Sequence, residues 1–169
     1  MKTIICAIAL WSTTPAQCMD IQNLRQGQFS IEDGTVLDNK TRLRWDQCSQ
    51  GQTWSKSKNC EGQASKLSYQ EANALVQHVP GGMPRLPSVS EIEDLIAKTR
   101  RNGRISQRIL PTVNADNRYF WLAADKADKS VHYVDLVAGK ILEAGGSTPL
   151  ASIKISLLWV RDEDEWCAY

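Results

Sequence analysis

Residues 85–92 read "RLPSVSEI", after the glycine-rich turn "PGGM" (80–83) and before "EDLIAKTRR" (93–101). This stretch decides how the middle of the chain folds. Pro87 follows Arg85 by two residues, so it forbids helix there and favours an extended lead-in. Ser88 with Glu91, or Ser90 with Glu93, supplies a capping box in which serine and acid each bond a free amide at a helix start. A helix is therefore expected from about Val89 to Arg101, with Ile92, Leu95 and Ile96 as its buried stripe and Asn102-Gly103 as its stop. Arg85 is held in extended backbone before it, as either a structural clasp or a chemical group.

Working outward toward the N-terminus, a second helix precedes this one. Ser68 and Glu71 form a capping box, and Tyr69, Ala72, Leu75, Val76 and Val79 follow helical spacing until Pro80 and Gly81-Gly82 end the pattern. Upstream, "FSIEDGTVLDNKTRLRW" (29–45) alternates apolar and polar residues around Asp33-Gly34 and Asp38-Asn39. It predicts short strands near Phe29–Ile31, Thr35–Leu37 and Leu43–Trp45. Toward the C-terminus, residues 103–118 have no sustained period and read as a long ordered loop. "YFWLAA" (119–124) reads as a short buried strand. "SVHYVDLVAGKILEAGG" (130–146) is a hairpin turning at Ala138-Gly139. "ASIKISLLWVRD" (151–162) is a last strand with Ile153, Ile155, Leu157 and Trp159 on one face. Strands, two helices, a long loop and more strands predict an α+β fold with a small antiparallel sheet.

The 169 residues make one domain by default. Residues 1–16 read as a secretory signal peptide: Lys2, the apolar run "IICAIALW", then a small-residue exit with Thr14 and Ala16 before the cut. Residues 17–169 are the expected mature domain, periplasmic or secreted, with no membrane insertion because no later segment is long enough to cross. Of five cysteines, the signal removes Cys6. Cys18, Cys48, Cys60 and Cys167 remain, an even set that points to disulfides in an exported chain. The favoured pairing is Cys48–Cys60 across the polar loop "SQGQTWSKSKN", with Cys18–Cys167 tying the ends. No Cys-x-x-Cys pair supports a zinc site. The formal charge of +1 falls near zero once Lys2 is gone, so the overall field selects no partner and no nucleic acid is expected. Nothing in the sequence sets an oligomeric state.

Catalytic motifs are missing. His78 and His132 are far apart and neither lies in a metal or nucleophile motif; no Gly-x-Ser-x-Gly elbow, His-Glu-x-x-His or phosphate loop occurs. No enzyme activity, cofactor or metal is expected. Two charge clusters stand out. Lys98, Arg100, Arg101, Arg104 and Arg108 lie on or beside the long loop, and guanidinium forks suit sulfate, carboxylate or phosphate. Asp162, Glu163, Asp164 and Glu165 form an acidic tail without the spacing of a calcium loop. Trp54, in the polar disulfide loop, is the aromatic least explained by a core. Trp45, Trp121 and Trp159 lie in strands and are core candidates, and Trp166 would cover the joined termini.

"FSIEDGTVLDNKTRLRWDQCSQGQ", "CEGQA", "SYQEA", "RLPSVSEIEDL", "YFWLAA" and "LLWVRD" occur in an order that resembles the Lcl C-terminal domain, a bacterial exported domain, over about residues 28–162. The resemblance implies a C-type-lectin-like fold, in the branch that includes formylglycine-generating enzymes. It also implies a role in adhesion or sulfated-glycan binding. In that frame Arg85 is a structural clasp. The chain departs from the family in having Pro84 where many members carry Trp, and Trp121-Leu122-Ala123 in place of Trp-Ser-Ser. It lacks the Glu-Pro-Asn and Trp-Asn-Asp signatures of calcium-dependent lectins. Of the oxidase cysteines only Cys167 has a counterpart. The reading is an exported binding module for a glycan or a protein. Its site is Arg100, Arg101, Arg104, Arg108 and Trp54, on the loop face with the neighbouring "GGSTPL" turn (145–150). A periplasmic inhibitor or immunity protein against a secreted toxin is the first alternative, and a surface-appendage component the second.

Overall fold

Turn chemistry sets the first sheet. Asp33 and Gly34 adopt positive φ (33° and 84°), folding β1 (Phe29–Glu32) onto β2 (Thr35–Asp38). β2 pairs antiparallel with β3 (Leu43–Asp46). Val36 and Trp45 sit opposite each other, both buried, as alternation requires when one face is covered. The structure, a computed structural model, describes residues 27–76, 84–101 and 104–163. The expected signal peptide, Cys18–Cys167 bridge, His78, Val79, Pro80 to Gly82, Asn102-Gly103, Asp164, Glu165 and Trp166 lie outside the described residues.

The small hairpin β4 (Thr53–Trp54) and β5 (Cys60–Glu61) follows. It is closed by the expected Cys48–Cys60 disulfide. Helix α1 (Tyr69–Val76) starts at its capping box: the Ser68 N–H donates to Glu71 Oε2 at 2.7 Å, and the Glu71 N–H to Ser68 Oγ at 3.4 Å. Tyr69 and Ala72 are buried as expected, but Leu75 is 37% exposed. Helix α2 (Val89–Thr99) uses the Ser88–Glu91 box of the two that the sequence offered.

α2 ends two residues earlier than its periodicity implies. Arg100 is already extended and begins β6 (Arg100–Arg101), which pairs with β7 (Arg104–Ile105). The hairpin buries Ile105 in the main core, a gain that another half-turn of helix would forgo. The second sheet runs β10-β9-β8, from β8 (Tyr119–Trp121), β9 (His132–Asp135) and β10 (Lys140–Glu143). All its pairings are antiparallel, so the α+β class stands.

The last segment corrects the single alternating strand expected from the sequence. A 3-10 turn (Leu150–Ser152) opens it, isolated bridges follow at Ile155 and Ser156, and β11 (Val160–Asp162) adds to β3. Ser156, Leu157, Leu158 and Val160 are all fully buried, which one-sided alternation cannot produce. The segment runs between the other elements. Ile155 bridges Leu67, Ser156 bridges Phe120, and Val160 bridges Arg85 while pairing with Trp45. It divides the core into a larger cluster around Trp45, Ile92, Leu95 and Phe120 and a smaller one around Tyr69, Leu86, Trp121 and Trp159.

Candidate functional site

The loop face is assembled by the β9–β10 turn. Asp135 Oδ1 accepts the N–H groups of Val137 (3.0 Å) and Ala138 (2.9 Å), an arrangement in which an Asp side chain shapes its own turn. The same carboxylate takes a fork from Arg118, whose Nε lies 3.0 Å from Oδ1 and whose Nη2 bonds Oδ2. Arg118 also lies over the Tyr119 ring, 5.2 Å from its centroid. Burial pushes the Asp135 pKa up, but the Arg118 fork and turn amides outweigh it and hold the carboxyl below its ordinary value. The bond to Asp135 raises Arg118 further.

Gly139 closes the turn at φ +66°, and an added Cβ would lie 2.2 Å from Arg100 Nη1. The Arg100 guanidinium is thus packed on the turn. Arg101 is exposed and pairs across the hairpin with the backbone of Arg104. The chain then bends back, Ser106 N–H donating to Thr99 O (3.2 Å), and carries Arg108 outward on an exposed turn. Gln47 anchors that turn from below through Nε2, 2.8 Å from the Arg108 carbonyl. Between loop and hairpin lies a cleft of about 330 Å³, lined by Ile105, Gln107, Val113, Arg118, Leu136 and Val137 among others.

The structure places the sequence candidates unequally. Arg100, Arg101, the Arg104 backbone and Arg108 share one segment. Lys98, expected beside them, turns inward to Asp38 (2.6 Å) and Asp94. The 145–150 turn contributes nothing to the cleft; Leu150 packs against the smaller core cluster. Trp54 stands apart in a different hollow, beside Trp159 and the disulfide. Trp45, Trp121 and Trp159 are buried, with Trp121 Nε1 donating to Leu67 O at 2.8 Å. Arg85 forks onto Glu91 (2.8 and 2.7 Å) and reaches Asp162 at 3.3 Å. The Arg118–Asp135 fork was not foreseen, although "DLVAG" after a strand signals a turn that an Asp could shape. His132 lies in β9 with Nδ1 3.5 Å from Ser130 Oγ.

Among the described residues no cluster of three or more His, Cys, Asp or Glu could hold a metal, and no helix is long and apolar enough to cross a membrane. Carboxylates pair with Arg44 (Glu163), Arg85 (Glu91), Arg118 (Asp135) and Arg161 (Asp46). Arg101 and Arg108 have no ion pair among the described residues. No curated protein and no solved structure matches the chain. Residues 34–153, which hold the disulfide loop, both helices, the loop face and the second sheet, match the family model of the Lcl C-terminal domain. The chain belongs to the Lcl C-terminal domain family.

Proposed function

We propose that this protein is an exported, non-enzymatic binding domain of C-type-lectin-like architecture that takes a polyanionic glycan on its loop face. The observation that carries the reading is the contrast between the arginines. Arg44, Arg85, Arg118 and Arg161 are paired with carboxylates, while Arg101 and Arg108 are exposed on a segment whose Ile105 and Gln107 line the loop-face cleft. Guanidinium forks match sulfate and carboxylate oxygens, and an exposed cation without an ion pair among the described residues suits them. Export is supported by the apolar N-terminal run and by the disulfide, a bond that persists in oxidising compartments.

The test is retention on a heparin column, native protein against Arg101→Ser/Arg108→Ser. The double variant is preferable to one that includes Arg100, whose guanidinium packs on Gly139. Native protein should elute at higher salt than the variant, and its retention should fall steeply with salt, since exposed charges are screened over about 8 Å at physiological ionic strength. Equal retention of both, or none for either, removes the polyanion reading. It would favour a protein partner, as for a periplasmic inhibitor, which would bury roughly 1,600 Å² around aromatic and Arg anchors and bind tightly despite salt.

A further inference from the structure

The hollow that holds Trp54 has a chemistry opposite to that of the loop face. It measures about 500 Å³ and is lined by Asp33, Asp46, Gln50, Gln52, Trp54 and Trp159, with small residues between them. That volume falls in the range of small-molecule sites, roughly 300–1,000 Å³. Among the described residues no lysine or arginine lines it. Arg161 is engaged with Asp46 Oδ1, and Arg44, which donates to Thr35 Oγ1 at 2.9 Å, forks onto Glu163.

The wall groups are held in place. The Trp54 indole lies on Gly34, where an added Cβ would sit 2.7 Å from the ring, and its strand is tied to Cys60, the disulfide partner of Cys48. Trp159 Nε1 donates to Gln50 Oε1 at 2.9 Å, which orients the Gln50 amide and leaves its NH2 without a partner among the described residues. The floor is a buried polar network: Ser49 Oγ meets Thr112 Oγ1 at 2.8 Å, Thr112 donates to Gln52 Oε1 at 2.6 Å, and Asn117 Nδ2 donates to Ser49 Oγ at 2.8 Å. Walls fixed before binding reduce the ordering cost of a ligand.

We propose that this hollow is a separate binding site for an uncharged saccharide. Adjacent sugar hydroxyls both donate and accept. Asp33 and the second oxygen of Asp46 supply acceptors, the Gln50 NH2 supplies a donor, and the part-exposed Trp54 ring offers an apolar plate to the C–H face of a pyranose. The Asp33 carboxylate, which has no ion pair among the described residues, repels sulfate and carboxylate groups, so the site disfavours the ligands that suit the arginines. A cationic amine would meet the acids but leave the Gln50 donor unmatched. The site does not depend on the loop-face reading.

The experiment is isothermal titration of the oxidised, full-length mature protein in about 1 M sodium chloride, where screening acts within about 3 Å. The probes are hexasaccharides of glucose, mannose, galactose and N-acetylglucosamine, with heparin hexasaccharide and spermidine as charged comparators. At least one neutral hexasaccharide should saturate at a single site. Asp33→Asn, which suits the positive φ of its turn and removes the charge, should keep the native Tm and weaken that binding about tenfold. Gln50→Glu, which keeps the acceptor for Trp159 Nε1 and removes the NH2 donor, should do the same. Arg101→Ser/Arg108→Ser should bind the neutral sugar as the native protein does, which separates this site from the polyanion face. Failure of every neutral hexasaccharide overturns the proposal. So does native-like binding by both hollow variants, or displacement of the sugar by heparin or spermidine.

Discussion

Arg85 joins two elements, β11 and α2. Its N–H donates to Val160 O (2.8 Å), and its carbonyl accepts from the Val160 N–H (3.0 Å). Its guanidinium forks onto Glu91, whose Oε2 also accepts the Ser88 N–H at 2.8 Å. One carboxylate thus serves both the helix cap and the ion pair. Arg85→Ala should lower stability by about 1–2 kcal/mol, a figure reduced for the pair's partial exposure. Arg85→Lys should recover only part of it, because an ammonium cannot fork. Thermal melts of both, with Glu91→Gln in a double-mutant cycle, measure the coupling. An unchanged Tm accompanied by lost ligand binding would make Arg85 a site residue instead. The pair also sets a pH dependence. Burial pushes the Glu91 pKa up, but Arg85 and the Ser88 amide outweigh it and hold the value below the ordinary one. A depressed carboxylate contributes stability above its unfolded pKa of about 4.3 and loses it as pH falls through the lower folded value. Glu91→Gln should therefore flatten the acid limb of a Tm-against-pH curve below about pH 4.5.

At the scale of elements, two short pieces depend on one feature each. The 48–60 loop contains a hairpin of two residue pairs, and its ends are joined across 12 positions. Cys48→Ser/Cys60→Ser should cost about 3 kcal/mol on the chain-entropy estimate. The loss should appear in chemical denaturation and as weakened binding at the neutral-sugar site. The β9–β10 turn depends on Gly139. Gly139→Ala meets both a positive φ and the Arg100 guanidinium, so it should lower Tm and shift the Arg100 resonances. A native-like melt would mean that Arg100 does not rest on the turn. Both features were readable from the sequence, since Cys48 and Cys60 flank a polar stretch and Ala138-Gly139 separates two alternating runs. The early end of α2 was not readable. No residue before the Asn102-Gly103 stop breaks a helix, and only pairing with Arg104–Ile105 draws Arg100 and Arg101 into strand.

For the whole molecule, segment 155–162 is the organising piece, because it contacts α1's approach, the second sheet, the lead-in to α2 and the first sheet in turn. A bridge between Cys18 and Cys167 would secure both ends of a chain built in this way. Non-reducing peptide mapping of protein made in an oxidising compartment should recover Cys48–Cys60 and Cys18–Cys167 as linked peptides. Free thiols at Cys18 and Cys167 would refute the second bridge.

The sequence by itself determined the local events: both capping boxes, the turns at Asp33-Gly34 and Gly139, the strand positions of the first sheet, the Cys48–Cys60 pair and the family. The caps, turns and strands are each encoded within about a dozen residues, by backbone preferences and hydrogen bonds that act at short range, and the family by the order of such short motifs along the chain. Tertiary structure decided which charges and aromatics remain available. Arg44 meets Glu163 across 119 positions, Arg161 meets Asp46 across 115, and Trp159 meets Gln50 across 109. No local pattern marks such partners, since a carboxylate neutralises whichever cation the packed core brings within reach. Arg101 and Arg108 were separated from the other arginine candidates, and the Trp54 hollow acquired its acidic lining, only when the chain had closed around segment 155–162.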